Sequence, residues 1–381
     1  MSEVRVNNLS NENNTGGPTI SGITTYSGRH FFVPPQGDTA SRPSDCEPGS
    51  LRFNTDTAHL EYFRGNTIGW TGIEAELTAP LGGGTGSNEG LGVRALFGGG
   101  GNYGGYVNDI KFLTISTLGD SEDFGNMSYS AQFPSTGASS RTRGLFAGGY
   151  AGGRVNTIEF VTIASKGDTT NFGDMTLRRE TVGAGCNGTR CVMGGGFYNP
   201  AATNIIDYVQ IATTGDSVDF GDQTATGGGS PLNNTIRLIL KVHSSNSATH
   251  LDTVVMSTTG NAGDFGDTTT SHTGSFAGAT SSTRGIYAGQ NGPLNTMDFI
   301  TMATFGDAID FGDLTVARGS LGGTSSPTRG VFYGGVAHPS STELDVIDYV
   351  EIATTGNALD FGDAETARRN TGALSNGHGG L

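Results

Sequence analysis

The chain has few of the residues that mark several common protein classes. Its 381 residues include only three cysteines and one tryptophan, and only 15% are charged. Three cysteines cannot build a disulfide framework; we expect Cys186 and Cys191 to be buried thiols, although they could face each other across a hairpin. No segment has a sustained 3.6-residue apolar period, so helices are not expected. Neither a membrane-spanning run nor an apolar signal segment in residues 1–14 is present, which predicts synthesis in a cytoplasm and no membrane insertion.

Basic residues are also scarce. Lys and Arg number 21 against 36 Asp and Glu, which gives a formal net charge of -15. Nucleic acids and anionic membranes bind basic patches, so neither is an expected partner. Glycine, in contrast, occupies 64 positions, which suits the tight turns and closely packed sheets of an all-β fold.

A repeated segment, DFG followed by Asp or Asn, with NFGD as its second copy, occurs six times at intervals of 45 to 50 residues. Its phenylalanines are Phe124, Phe172, Phe220, Phe265, Phe311 and Phe361. Nine residues before each stands an aliphatic residue: Ile115, Ile163, Ile211, Met256, Met302 and Ile352. Repeats of this length are typical of units of four short strands arranged in a ring. The sequence therefore predicts an all-β protein whose main part is a six-bladed β-propeller.

The sixth repeat shows the four strands most clearly. We place the first strand after the arginine of TVAR, the second at RGVFYGG, the third at VIDYVEIA and the fourth at ALDFGD. The apolar third strand is expected to be covered on both faces. The first repeat begins with GVRALFGGG and lacks a first strand, whereas TARRNTGALSN near residue 370 lacks a second one. Pairing residues 366–376 with that opening strand would close the ring and hide its edges.

This pattern resembles the Kelch repeat over residues 91–381. The family's Gly-Gly doublet after the second strand is matched at Gly98-Gly99, Gly148-Gly149, Gly194-Gly195 and Gly334-Gly335. The fourth and fifth repeats depart from it with Leu240-Lys241 and Gly289-Gln290, and phenylalanine replaces the family's fourth-strand tryptophan. The resemblance implies a divergent, six-bladed Kelch-like propeller and indicates a fold rather than an activity.

The loops between the second and third strands vary most in length and composition. In propellers such loops often form binding sites on a regular scaffold. The candidate binding residues on this face are Tyr103, Tyr106, Tyr150, Phe197, Tyr198, His243, Asn291 and His338. Aromatic rings with Asn and His donors suit sugars or protein epitopes; the alternative is that these loops only connect strands.

The DFGD turns are acidic, and carboxylates three residues apart raise the possibility of calcium. Weak candidates for such a site are Asp216, Asp219, Asp222, Asp307, Asp310 and Asp313. Asn126 and Asn171 replace two of the repeated aspartates, and no twelve-residue calcium loop is present. We favour the alternative, in which Asp and Asn side chains bond their own backbone at turns, and predict no metal and no cofactor.

No catalytic motif accompanies the repeats. Six-bladed propellers include sialidases, but the Asp-box is absent and Trp70 lies outside the repeats. Nucleophile-elbow, P-loop and zinc-protease motifs are absent, and the histidines have no metal-ligand spacing. The recurrent Arg143, Arg284 and Arg329 are interpreted as structural. We predict a protein that is not an enzyme, although a glycosidase-like carboxylate pair remains open.

The residues before the repeats have a different composition. Residues 1–50 are polar and low in charge, which predicts an extended arm that folds along a partner. Residues 51–77 predict a small β-hairpin module. Residues 78–90 are rich in glycine and predict a flexible linker to the propeller at 91–381.

The hairpin module carries a second resemblance. Its LRFNTDT, LEYF, Gly65 and Trp70 are similar to a segment of tailed-bacteriophage structural proteins. The leading stretch RVNNLSNENNTGGPTISGI, together with the DFGD repeats, resembles appendage proteins of marine cyanobacterial phages. This resemblance implies a virion protein, but not its position, because the family varies in where it sits on the particle. We expect a tail fibre or other appendage more than a capsid component, with residues 1–77 docked to other virion proteins. The propeller would then bind a host-surface glycan or protein, and a homotrimer is possible by analogy. A decoration protein without receptor binding and a glycan-degrading enzyme are the alternatives.

Overall fold

The computed structural model describes residues 34–44, 46–56, 59–73, 93–103, 105–134, 138–229, 231–242, 249–270, 277–290, 292 and 294–381. It divides into two compact units, Met1–Glu76 and Leu77–Leu381. All regular elements in these residues are strands, so the expectation of an all-β chain is confirmed. No membrane-spanning helix is found in the part of the chain that the structure describes.

The first unit contains a four-stranded sheet. Its strands are Gln36–Gly37, Leu51–Asn54, His59–Phe63 and Trp70–Ile73, with the first pair parallel and the others antiparallel. The antiparallel pairs agree with the hairpin expected for 51–77. The sheet also includes a short strand that the sequence assigned to the arm, because Phe53 N–H donates to Pro35 O at 2.8 Å. The rest of the predicted arm before residue 34, and the predicted linker at 78–90, lie outside the described residues.

Among its described residues, the second unit has six antiparallel sheets of three or four strands, which we number 1 to 6 along the chain. In spatial order, sheet 1 has Gly372–Ser375, Arg94–Gly98, Asp109–Thr114 and Glu122–Asn126; sheet 2 has Arg143–Ala147, Thr157–Thr162 and Thr170–Asp174; sheet 3 has Gly183–Cys186, Arg190–Gly194, Ile205–Gln210 and Val218–Asp222. Sheet 4 has Pro231–Asn233, Arg237–Lys241, His250–Val255 and Gly263–Asp267; sheet 5 has Ala277–Thr280, Arg284–Ala288, Thr296–Thr301 and Ile309–Asp313; sheet 6 has Gly322–Ser325, Arg329–Tyr333, Val346–Glu351 and Leu359–Asp363. Two small ribbons pair Gly101–Asn102 with Gly105–Tyr106, and Arg318–Gly319 with Val336–Ala337.

Sheet 1 joins strands from two distant parts of the sequence. Gly372–Ser375 runs antiparallel to Arg94–Gly98, with Leu374 opposite Leu96. This is the pairing that the incomplete first repeat predicts, and it is confirmed. The pairing gives Arg94–Gly98 a neighbour on both sides, so that neither of its edges is left open.

Buried apolar clusters lie between consecutive sheets. The phenylalanine of each DFG segment is buried in one of them. The third strand of sheet 6 contributes Val350 to the cluster shared with sheet 5 and Ile347 to the cluster shared with sheet 1. The expectation that this strand is covered on both faces is therefore confirmed, and the packing passes from sheet 6 directly to sheet 1.

A hydrogen bond repeats at each of these contacts. The backbone N–H of a glycine in the turn before a fourth strand donates to the carbonyl of the DFG phenylalanine in the preceding sheet. The six pairs are Gly167–Phe124, Gly215–Phe172, Gly260–Phe220, Gly306–Phe265, Gly356–Phe311 and Gly119–Phe361. The DFG glycine is required there: a Cβ on Gly173, whose φ is +155°, would lie 2.3 Å from Gly215 O.

Candidate binding site

The acidic turns hold neighbouring sheets together. Asp174 N–H donates to Asp216 Oδ1 at 2.9 Å, and Asp267 N–H donates to Asp307 Oδ1 at 3.0 Å. The equivalent acceptors in the other repeats are Asp120, Asp168, Asn261 and Asn357. These contacts differ from the expectation of Asx side chains bonding their own turn, because each acceptor reaches the backbone of the preceding sheet. Asparagine serves equally in two repeats, so the contact needs an oxygen acceptor rather than a charge.

The remaining calcium candidates lie on the fourth strands. Asp219, Asp222 and Asp310 are exposed, and Asp313 is partly exposed. Within the described residues, no group of three or more His, Cys, Asp or Glu side chains is placed to hold a metal ion. Charged side chains on the outer strand of a sheet oppose pairing of that edge with a strand of another molecule.

A row of buried acids, which the sequence analysis missed, runs through the third strands. Asp207 accepts from Arg179 Nη2 at 2.7 Å and from Thr176 Oγ1 at 2.8 Å. Asp348 is bonded in the same way by Arg318 and Thr315, at 2.8 and 2.7 Å. The corresponding acids in other repeats are Glu159, Asp252 and Asp298. The sequence did carry a signal for this row, because an acidic residue is the third residue of each of these five largely apolar strands.

The arginine–aspartate pairs in this row are fully buried. Neither member of Arg179–Asp207 or Arg318–Asp348 has exposed side-chain area. Burial lowers the pKa of the Arg179 guanidinium, although the Asp207 carboxylate opposes that effect. A buried charge must be paired, and these carboxylates already have their cation and hydroxyl partners. They are structural groups, not candidate acids or bases.

Sheets 6 and 1 meet through different chemistry at the same place. Lys111 occupies the position of the buried acids, and its Nζ lies 2.5 Å from Glu365 and 3.2 Å from Asp123. Arg368 bonds both carboxylate oxygens of Asp109, at 3.0 and 2.7 Å. The hydroxyl–carboxylate hydrogen bond of the other repeats is thus replaced here by the Lys111–Glu365 ion pair. This replacement distinguishes the junction of sheets 6 and 1 from the others described above.

The recurrent arginines at the start of the second strands also join sheets. Arg143 Nη1 donates to Ile211 O at 2.7 Å, and its guanidinium lies 4.4 Å from the centre of the Phe160 ring. Arg284 and Arg329 donate to Ile352 O and Ile115 O, at 3.2 and 3.0 Å. These contacts agree with the structural role expected for Arg143, Arg284 and Arg329.

The candidate loop residues separate into two groups. Tyr106 and Tyr150 stack edge to face, with ring centres 5.7 Å apart, and Tyr150 and Tyr198 line one cavity. Tyr103 is 78% exposed, and its hydroxyl accepts from Glu343 N–H at 3.1 Å. The structure therefore brings Tyr106, Tyr150 and Tyr198 into one neighbourhood, whereas Tyr103 contacts the loop of sheet 6.

Of the other four candidates, the structure describes two, Phe197 and His338. Phe197 is partly buried and exchanges backbone hydrogen bonds with Glu180, at 2.9 and 3.0 Å. His338 N–H donates to Ala317 O at 3.1 Å. His243 and Asn291 lie outside the described residues.

The cavity, which we call the loop cavity, has a volume of about 600 Å³. It is lined by Tyr150, Gly152, Gly153, Arg154, Asn156, Thr176, Leu177, Arg178, Tyr198 and Asn199. These residues come from the loops after the second strands of sheets 2 and 3 and from the connection between the sheets. Two tyrosine rings with guanidinium and amide groups form a polar, concave surface of the size that binds small molecules. Arg154, Asn156 and Arg178 were not among the residues predicted from the sequence. Arg154 and Asn156 stand in the variable loop of sheet 2, and Arg178 stands in the connection from sheet 2 to sheet 3.

A second cavity, of about 610 Å³, is formed by turns between first and second strands. Arg143, Ile211, Gly188 and Leu381 are among its lining residues. The Arg143 guanidinium is already bonded to the Ile211 carbonyl. The loop cavity, which has two aromatic rings, is the better candidate for ligand recognition.

In the first unit, the RFNTDT…LE segment forms an internal polar network. Asn54 Nδ2 donates to Glu61 Oε1 at 2.8 Å, and Arg42 pairs with the same carboxylate. The hydrogen bond from Arg42 lowers the pKa of the Glu61 carboxyl. Trp70 Nε1 donates to Pro43 O at 2.8 Å. The polar residues of the LRFNTDT and LEYF segments and Trp70 thus make contacts that stabilise the first unit internally.

No protein-family model matches the chain, and no curated protein matches it significantly.

Proposed function

We propose that the six sheets are the blades of one closed, Kelch-like β-propeller. The support is the cyclic order of the contacts between sheets. Sheet 6 reaches sheet 1 through the Gly119–Phe361 hydrogen bond and through Arg329, which donates to Ile115 O. The same glycine–phenylalanine hydrogen bond joins each of the other five consecutive pairs of sheets. The same arginine contact joins sheet 2 to sheet 3 and sheet 5 to sheet 6. The strand Gly372–Ser375 then completes sheet 1.

We further propose that this protein binds ligands and does not catalyse a reaction. The observation that supports this most strongly is the loop cavity, where Tyr150 and Tyr198 lie among guanidinium and amide groups. The buried carboxylates of the third strands are committed to arginine and threonine partners. A glycoside hydrolase of the usual two-carboxylate kind would need acidic groups placed at an accessible site.

The proposed biological role is that of a virion appendage protein, a tail fibre or similar adhesin, which binds the host surface. This rests on the resemblance of the LRFNTDT segment to tailed-phage structural proteins. Residues 1–77 would attach the protein to other virion proteins, and the loop face of the propeller would bind a host glycan or protein. Several copies, arranged for example as a homotrimer, would raise avidity over one site by roughly two to four orders of magnitude.

The test is to locate the protein on intact particles by cryo-electron microscopy, or with gold-labelled antibody against residues 91–381. Density at the tail with the loop face outward would support the adhesin. Density on the capsid, or propellers packed with the loop face against neighbours, would favour a decoration protein. Absence from particles would refute the virion role, and release of sugar by the purified protein would favour a glycan-degrading enzyme.

A further inference from the structure

We propose that the loop cavity binds an acidic saccharide, a sugar that bears a carboxylate, and that Arg178 recognises the carboxylate. This inference rests on the proposed binding function and specifies its ligand class. The argument comes from the way in which the aromatic and cationic side chains of the cavity are held.

The tyrosine of sheet 2 is positioned before any ligand arrives. Tyr150 exchanges two backbone hydrogen bonds with Gln132, at 2.8 and 3.0 Å, and its ring packs perpendicular to the Tyr106 ring. At the same cavity, Tyr198 N–H donates to Ala201 O at 3.0 Å and closes the turn that bears this tyrosine. A rigid aromatic surface loses little conformational entropy on binding and suits the flat face of a sugar ring.

The two arginines of the cavity differ in their state. Arg154 Nη2 lies 2.6 Å from Glu180 Oε1, so its charge is already balanced by a neighbour. Arg178 is exposed at the cavity. Its neighbour Arg179 points into the interior, toward Asp207. Arg178 is therefore the guanidinium that a ligand can engage, and a guanidinium binds a carboxylate through two parallel hydrogen bonds.

The negative charge of the whole protein limits the number of carboxylates that a favourable ligand carries. With a net charge of -15, the surface repels polyanions in general, so an acidic ligand must be held by local contacts. The amides of Asn156 and Asn199, which also line the cavity, supply further hydrogen-bonding groups for sugar hydroxyls. A saccharide with one or a few carboxylates satisfies the rings, the amides and the cation together, whereas a neutral sugar leaves the guanidinium without its preferred partner.

The experiment is isothermal titration calorimetry on the full chain. The probes are tetragalacturonate and 3′-sialyllactose, each compared with a neutral counterpart, the tetragalacturonate methyl ester and lactose. We expect at least one acidic probe to bind about 10-fold or more tightly than its counterpart, as a charge-assisted hydrogen-bonded pair would give. Arg178→Gln should remove this difference and leave binding of the neutral sugar unchanged, whereas Tyr198→Ala should weaken both.

Arg64→Gln is the matched control, because it removes an exposed arginine outside the cavity with the same change in net charge. Equal affinity for acidic and neutral probes, no binding of either acidic probe, or equal effects of Arg178→Gln and Arg64→Gln would overturn the proposal. Binding of the purified protein to host cells despite such a result would leave the adhesin function standing. Sugar binding by a protein that is absent from particles would refute the virion role alone.

Discussion

Deleting residues 366–381 should destabilise the whole second unit, because this segment joins sheet 1 to both of its neighbours. Ala373 and Leu374 are fully buried, and burial of a leucine side chain stabilises by about 1.5–3 kcal/mol. The deletion also removes the strand's backbone hydrogen bonds, at about 0.5–1.5 kcal/mol each, and the Arg368–Asp109 pair. The summed loss, on the order of 5–10 kcal/mol, is comparable with the total stability of a typical domain.

A graded form of the same test uses Leu374→Ala, with Leu232→Ala as its control. Leu232 lies at the equivalent position of the first strand of sheet 4 and is also fully buried. Each substitution should cost about 2–5 kcal/mol in urea unfolding. Hydrogen exchange should show loss of protection in Arg94–Gly98 for Leu374→Ala but not for Leu232→Ala. The reason is that the strand of Leu374 pairs with Arg94–Gly98, whereas the strand of Leu232 pairs with Arg237–Lys241.

The closed arrangement is refuted if the deletion leaves both the thermal midpoint and the protection of Arg94–Gly98 unchanged. A loss of protection confined to that strand, with no change in the midpoint, would also contradict it. In a closed ring, opening one junction exposes apolar surface on sheets 1 and 6 together, so the loss must be cooperative.

Three further predictions concern single residues. Gly195→Ala should destabilise by several kcal/mol in urea unfolding, because φ is +64° and the new Cβ would lie 1.8 Å from Gly227 O; an unchanged midpoint would contradict this close contact. Burial lowers the pKa of Lys241 to about 7, so the unfolded state binds more protons, and stability should rise between pH 7 and pH 10 by up to about 1.4 kcal/mol per pH unit. Lys241→Met should abolish that rise, and a retained slope would disprove the assignment. Burial likewise lowers the pKa of His378 to about 4, and its Nε2 lies 3.0 Å from Ser139 O. Stability should therefore fall as pH decreases from 6.5 to 4, and His378→Gln should flatten this dependence in denaturant titrations at each pH.

The strand positions could be predicted because they depend on local patterns. The segments RGVFYGG, VIDYVEIA and ALDFGD correspond to the observed strands Arg329–Tyr333, Val346–Glu351 and Leu359–Asp363. The alternation of apolar residues marks the strands, and glycine marks the turns. Both signals extend over only a few neighbouring residues, so they can be read directly from the sequence. The pairing of Gly372–Ser375 with Arg94–Gly98 could also be predicted, because each end of the repeat region lacks the strand that the other has.

Contacts between repeats could be located only in the tertiary structure. The sequence suggested that Asp216 bonds its own turn, but its partner is Asp174 of the preceding sheet. Likewise, Tyr150 and Tyr198 each stand in a variable loop, and nothing in the linear sequence places Arg178 beside them. The repeat determined by itself which strands form and in what order. The packing of neighbouring sheets decided which polar side chains meet, because residues 20 to 50 positions apart come together only when buried apolar surfaces set the distance between the sheets.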